Sequence, residues 1–141
     1  MKRPFATLCL LTGVLVFAGC VNRSVLPDSE PTYSLNLSDM RVRDPFILAN
    51  VADSTYYMHA NSGKGSFICF ASKDLRMWRH CGESFIPAPD FWGKRDFWAP
   101  KVYHYQGRFY LIASFYSKVQ QRGISILVSD YPDRDFQPLV N

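Results

Sequence analysis

The sequence has little of what metal centres and membrane spans are made from. It holds three histidines, scattered at positions 59, 80 and 104, and four cysteines, of which no two stand as Cys-x-x-Cys. No metal-binding pattern results, and nothing calls for a cofactor. Long hydrophobic runs are also missing. The longest, from about Leu8 to Phe17, falls short of the roughly 20 apolar residues that a transmembrane helix needs, and Gly19, Asn22 and Arg23 follow it. Charge of one sign is not concentrated either. The net charge of +4 includes Lys2 and Arg3, and the remaining lysines and arginines are spread along the chain, which gives no support to nucleic-acid binding. No helical pattern is present beyond the first 20 or so residues.

What stands at the N-terminus is a basic pair, a short apolar run, then Ala18 and Gly19 before Cys20. That order is the anatomy of a secretory signal, here residues 1–19. The cysteine after two small residues resembles a bacterial lipobox, although Phe17 stands where leucine is usual. The expectation is export to a bacterial periplasm or cell surface with a lipid carried on Cys20, the only membrane contact foreseen. The alternative is an ordinary signal cut after a small residue. Residues 20–38, with Pro27, Asp28, Ser29, Glu30 and Pro31, carry no apolar period and read as a tether, leaving residues 39–141 as the folded domain. In an exported domain Cys69 and Cys81 flank the turn-like Lys73-Asp74-Leu75-Arg76 at equal distance from Leu75. In a hairpin they face each other, either as a disulfide or as two free thiols.

From Asp44 onward, short aromatic and β-branched runs alternate with turn residues, which predicts an all-β domain. The predicted strands are 46–49, 55–60, 67–72 and 77–81, then 101–105, 109–115, 124–129 and a weak run near Phe136. The two sets correspond at a spacing of about 55 residues. Asp44-Pro45-Phe46-Ile47 answers Ala99-Pro100-Lys101-Val102, Tyr56-Tyr57-Met58 answers Phe109-Tyr110-Leu111, and Ser72-Lys73-Asp74 answers Ser129-Asp130. Two successive sets of four antiparallel strands are the sequence form of β-propeller blades. Two blades cannot close a ring, so apolar residues meant for neighbouring blades are expected to lie exposed. A β-sandwich is the alternative use of such strands.

The repeat singles out Asp44. It opens the first strand of its unit where Ala99 opens the other, each before a proline, and the residue before proline is expected to be extended. Ala99 shows that the backbone there does not need a carboxylate, so acid–base work is one use for Asp44; a turn cap or a pair with Arg41 or Arg43 is the other. Glu83, Asp90 and Asp130 stand in no comparable position.

At these strings the chain resembles glycoside hydrolase family 43: RDPFI at 43–47, YYMHA at 56–60, SKDLRMW at 72–78 and FWAPKV at 97–102, followed by FYLIASFY. The strings occur in the family's order and cover most of residues 40–136. The resemblance implies a five-bladed propeller acting on arabinose-, xylose- or galactose-containing polysaccharides by inversion, here represented by its first two blades. By resemblance Asp44 is the general base. The family's other two carboxylates, a general acid Glu and an Asp that modulates its pKa, belong to later blades and have no counterpart in these 141 residues. Trp98, by resemblance, borders the sugar pocket, with a core tryptophan as the alternative, and Asp96 is a candidate for binding sugar hydroxyls. The implied partner is a carbohydrate. A noncatalytic carbohydrate-binding or assembly fragment is the other function that these residues permit.

Overall fold

The structure, a computed structural model, describes residues 32–140; the signal, Cys20 and most of the tether lie outside the described residues. It is built from two antiparallel meanders. The first sheet consists of β1 (Leu35–Asn36), β2 (Arg43–Asn50), β3 (Thr55–Asn61), β4 (Phe67–Ser72) and β5 (Met77–Phe85), in the order β1-β5-β4-β3-β2. The second consists of β6 (Arg95–Tyr105), β7 (Arg108–Ser117), β8 (Gln121–Ser129) and β9 (Gln137–Pro138), in sequence order. These are the first two blades of a β-propeller, all-β as the strand pattern predicts.

Three details differ from the sequence expectation. Leu35 and Asn36 pair with Trp78 and Met77, so the stretch read as tether enters the first sheet before residue 39. Leu35, Met40 and Val42 then pack on Met58, Phe70 and Trp78. The first blade is therefore partly covered by its own chain, while large apolar side chains lie exposed on or beside both blades, at Ile47, Val51 and Ile86 in the first and at Tyr103, Ile124 and Ile126 in the second. Strand β6 begins at Arg95 and not at Lys101, because bulges carry the ladder through Ala99-Pro100.

The Cys69–Cys81 alternatives are decided in favour of free thiols. Cys69 pairs with Gly82 and Phe70 with His80, which makes Cys81 the extra residue of a bulge packed beside Cys69. Burial raises the Cys69 thiol, whereas its hydrogen bond to Cys81 lowers the latter.

The core lies between the sheets. Phe67 and Phe85 from the first blade meet Phe97, Val102, Leu111, Phe115 and Leu127 from the second, with Phe91 from the connecting loop. The rings contact edge to face: Phe97–Phe115 at 4.9 Å, Phe91–Phe115 at 5.0 Å and Phe67–Phe115 at 5.8 Å. Phe91 and Trp92, in the connection between the two units, belong to this packing. The Trp92 indole donates to Ser125 Oγ at 2.7 Å, and its ring lies so close to Gly123 that a Cβ there would come within 2.8 Å of it.

One buried polar residue spans the two sheets. His59 on β3 is fully buried; its Nε2 is 2.9 Å from the carbonyl of Pro132, its Nδ1 is 3.3 Å from Ser84 Oγ, and Phe136 meets the ring edge-on. The carbonyl is an obligate acceptor, so Nε2 carries the proton. Burial pushes the His59 pKa down to about 4, against the opposing effect of the Pro132 bond. A depressed histidine leaves the fold unaffected above about pH 6.5 and costs stability as pH falls from there towards 4, because only the unfolded chain takes up the proton. Urea unfolding of the wild type at pH 7.5 and at pH 4.5 is expected to differ by roughly 2–3 kcal/mol from this group alone. In His59→Gln that part of the difference is expected to disappear.

Candidate functional site

The innermost strands β2 and β6 run beside each other, with Phe46 and Tyr103 in ring contact at 5.8 Å. Each carries its X-Pro pair on a bulge. Arg43 pairs with Asn61 and Phe46 with His59, so Asp44-Pro45 includes one residue more than the partner strand. Trp98 pairs with Ser114 and Lys101 with Ile112, so Ala99-Pro100 does the same. The backbone at the two positions also agrees: φ is 51° at Asp44 and 49° at Ala99.

This corrects the expectation that a residue before proline is extended. The bulge needs a left-handed residue to turn the strand and resume pairing, and that demand overrides the local preference. A non-glycine residue with such φ costs about 1–2 kcal/mol, a cost that surrounding packing must offset.

Asp44 itself is open to solvent, its side chain 39% exposed, and its nearest charge is Arg43 Nε at 3.9 Å. The pairing with Arg43 weighed for it in sequence is thus present, as a long contact that leaves carboxylate surface free. Beside it lies a cleft of about 470 Å³ whose walls include Arg43, Asn61, Lys64, Arg95, Asp96 and Trp98. Asp44 is not among its lining residues and stands next to the Arg43 wall. The cleft floor is fastened across the sheets by Asn61, whose Nδ2 donates to the carbonyl of Phe97 at 2.6 Å.

Trp98 and Asp96, the two residues named as candidate sugar contacts, are both half-buried in this cleft, and a third residue ties them together. Arg122 on β8 places its guanidinium 3.9 Å from the centre of the Trp98 ring, donates to Asp96 Oδ2 at 3.1 Å and lies 3.3 Å from Ser114 Oγ. Arg43 lies over the same ring at 5.6 Å. Asp96 is therefore held as the acceptor of an ion pair, and part of the Trp98 ring is covered. Nothing in the sequence marks Arg122: it lies 24 residues from Trp98, and only the β6-β7-β8 meander brings the two together. Tyr57, Trp78 and Asp130, none of them a site candidate in the sequence, stay apart from the cleft. Tyr57 and Trp78 are buried in the first blade, the Tyr57 hydroxyl donating to Asp53, and Asp130 pairs with Arg108.

The sequence profile of Glycosyl hydrolases family 43 matches residues 37–141. The chain belongs to glycoside hydrolase family 43. Among solved structures, an endo-arabinase from Bacteroides thetaiotaomicron is 49% identical, with a TM-score of 0.74, over 78% of this chain and 38% of its own. A thermostable family-43 glycoside hydrolase is 29% identical with a TM-score of 0.64, over 70% of this chain and 32% of its own. An arabinanase from Cellvibrio cellulosa, solved with arabinohexaose, shares the fold at 24% identity and a TM-score of 0.58, over 72% of this chain and 35% of its own. No curated protein sequence matches the chain. The chain thus spans about a third of the length of these solved structures.

The left-handed backbone makes a direct prediction at the position without a carboxylate. Ala99→Gly is expected to stabilise the chain by up to about 1 kcal/mol, and Ala99→Val to destabilise it by more than that, in urea unfolding. Equal stability of the two variants contradicts a left-handed Ala99.

Proposed function

We propose that the chain is the two-blade start of an exported glycosidase that hydrolyses O-glycosidic bonds in arabinose-, xylose- or galactose-containing plant polysaccharides. Membership of family 43 and likeness to an endo-arabinase support the reaction class and the substrate type. The observation that carries the assignment of Asp44 is the pair of matched bulges. Two blades adopt the same strained turn at the same register, and only one places a carboxylate on it.

In the proposed mechanism Asp44 is the general base. Its exposed carboxylate accepts a proton from a water molecule as that water attacks the anomeric carbon from the face opposite the leaving group. Inversion needs a second carboxyl group, about 6.5–9.5 Å away, to protonate the leaving oxygen. The only carboxylate lining the cleft among the described residues is Asp96, and it is engaged by Arg122 as an acceptor. The acid therefore comes from outside these residues, in keeping with the family's placing of it on a later blade. General acid or base contributions are about 10² to 10⁴ each, so these 141 residues alone are expected to release no measurable nitrophenol from aryl arabinofuranosides or xylosides.

Expressed with a downstream reading frame that supplies three further blades, the protein is expected to cleave arabinan or xylan, and Asp44→Asn to lower kcat by about 10² to 10⁴. An Asp44→Asn variant as active as its parent overturns the base assignment. Export and anchoring are proposed from residues 1–20. Fractionation of expressing cells is expected to find the protein with membranes, and Cys20→Ser to move it to the soluble fraction; a wild-type protein already soluble overturns the anchor.

A further inference from the structure

The cleft beside Asp44 is one stretch of a longer depression. It shares Arg43, Asn61 and Gly63 with a neighbouring hollow of about 520 Å³ lined by Met40 and Arg41, and shares Lys94 and Arg95 with another of about 500 Å³ lined by Trp92, Tyr116 and Lys118. The three form a band across both blades, longer than a single sugar ring requires. Its walls carry Arg41, Arg43, Lys64, Lys94, Arg95 and Lys118, against one carboxylate, Asp96, which Arg122 already neutralises. Asp44 offsets Arg43 from outside the lining.

The other cations on the band have no carboxylate partner within ion-pair distance among the described residues. Lys94 Nζ donates to the carbonyl of Pro89 at 2.8 Å, and the Arg95 guanidinium lies over the Tyr116 ring at 4.2 Å. Neither contact sets a carboxylate against the cation. A neutral arabinan or xylan gains nothing from such a field. A glycan with carboxylates at intervals along its chain meets a cation at each hollow while its rings lie against Trp92, Trp98 and Tyr116.

We infer that this band binds the uronate units of an acidic plant polysaccharide, so that the neutral chains cleaved at Asp44 are those attached to, or continuous with, a uronate-bearing backbone. The inference rests on the glycosidase reading above and narrows its substrate class. It requires no bond to form or break at the band; the contribution is electrostatic capture of the polymer.

The test is titration calorimetry of the 141-residue chain with three probes: an oligogalacturonide, a neutral arabino-oligosaccharide of the same length, and dextran sulfate. At about 20 mM salt the oligogalacturonide is expected to bind about tenfold or more tighter than the neutral probe, and the gap to close towards about 300 mM salt as screening shortens the reach of the charges. Arg41→Glu combined with Lys118→Glu, two exposed side chains that lie outside the cleft beside Asp44, is expected to weaken the oligogalacturonide roughly tenfold and to leave the neutral probe unchanged. That unchanged binding also reports that the variant is folded. The inference is overturned if the acidic probe binds no tighter than the neutral one, if the double variant does not weaken it, or if dextran sulfate binds as tightly and responds in the same way, which marks a nonspecific polyanion surface. Neutral binding without an acidic preference removes this inference alone. Failure of both sugars to bind removes the glycan reading of the cleft together with it.

Discussion

The edge-to-face packing of phenylalanines between the two sheets is the contact on which the rest of the molecule depends. Neither meander has a core of comparable size by itself: the first blade's own cluster around Met58, Phe70 and Trp78 is small, and the second blade's inner face has only the first to lie against. Aromatic pairs in this geometry contribute about 0.5–1.5 kcal/mol each beyond the area they bury, and Phe115 alone meets Phe67, Phe85, Phe91, Trp92 and Phe97. The packing also fixes the site. Phe97 is buried in this cluster and is the residue immediately before Trp98, so the strand that carries Trp98 and Ala99 is anchored one residue away from the cleft.

That anchoring explains how two strained turns persist. Left-handed backbone at Asp44 and at Ala99 is unfavourable on its own, and proline in the next position adds to the difficulty. On each strand the bulge is followed by a residue held in the interface: Phe46 packs on the common core, and Val102 lies fully within it. Once these are seated, the register beyond the bulge is set and the extra residue has no relaxed alternative. Strain at Asp44 is then inherited from the blade architecture, because Ala99 bears the same strain with no chemistry to perform. What is particular to Asp44 is the carboxylate alone.

The sequence made the strands, the two-unit repeat and the Asp44–Ala99 equivalence legible, because each depends on local alternation or on a period of about 55 residues. It misled at the residue before proline, where a general preference was overridden by a bulge that only the pairing partner reveals. It also placed the start of the fold too late: Leu35 and Asn36 sit in a Pro- and Ser-rich stretch, and what recruits them is the open edge of β5, which is remote in sequence. Cys69 and Cys81 were correctly put on neighbouring strands, but whether they face across a ladder or share a bulge depends on a one-residue slip that composition does not encode.

Charge shows the limit most clearly. Arg41, Lys64, the adjacent pair Lys94 and Arg95, and Lys118 with Arg122 are four groups separated along the chain by turns and apolar strands, and no sequence window holds more than two of these residues together. The fold brings them to one side because each stands on or beside a segment at the same end of its meander: the start of β2, the β3–β4 turn, the entry to β6 and the β7–β8 turn. In an up-and-down sheet every second connection emerges at the same end, so residues at alternate turns become neighbours whatever their spacing. A charged surface on a propeller is therefore a property of alternate turns taken across blades. The same rule brings Arg122 over Trp98, and it makes the environment of Asp44 a product of both blades although the residue itself belongs to one.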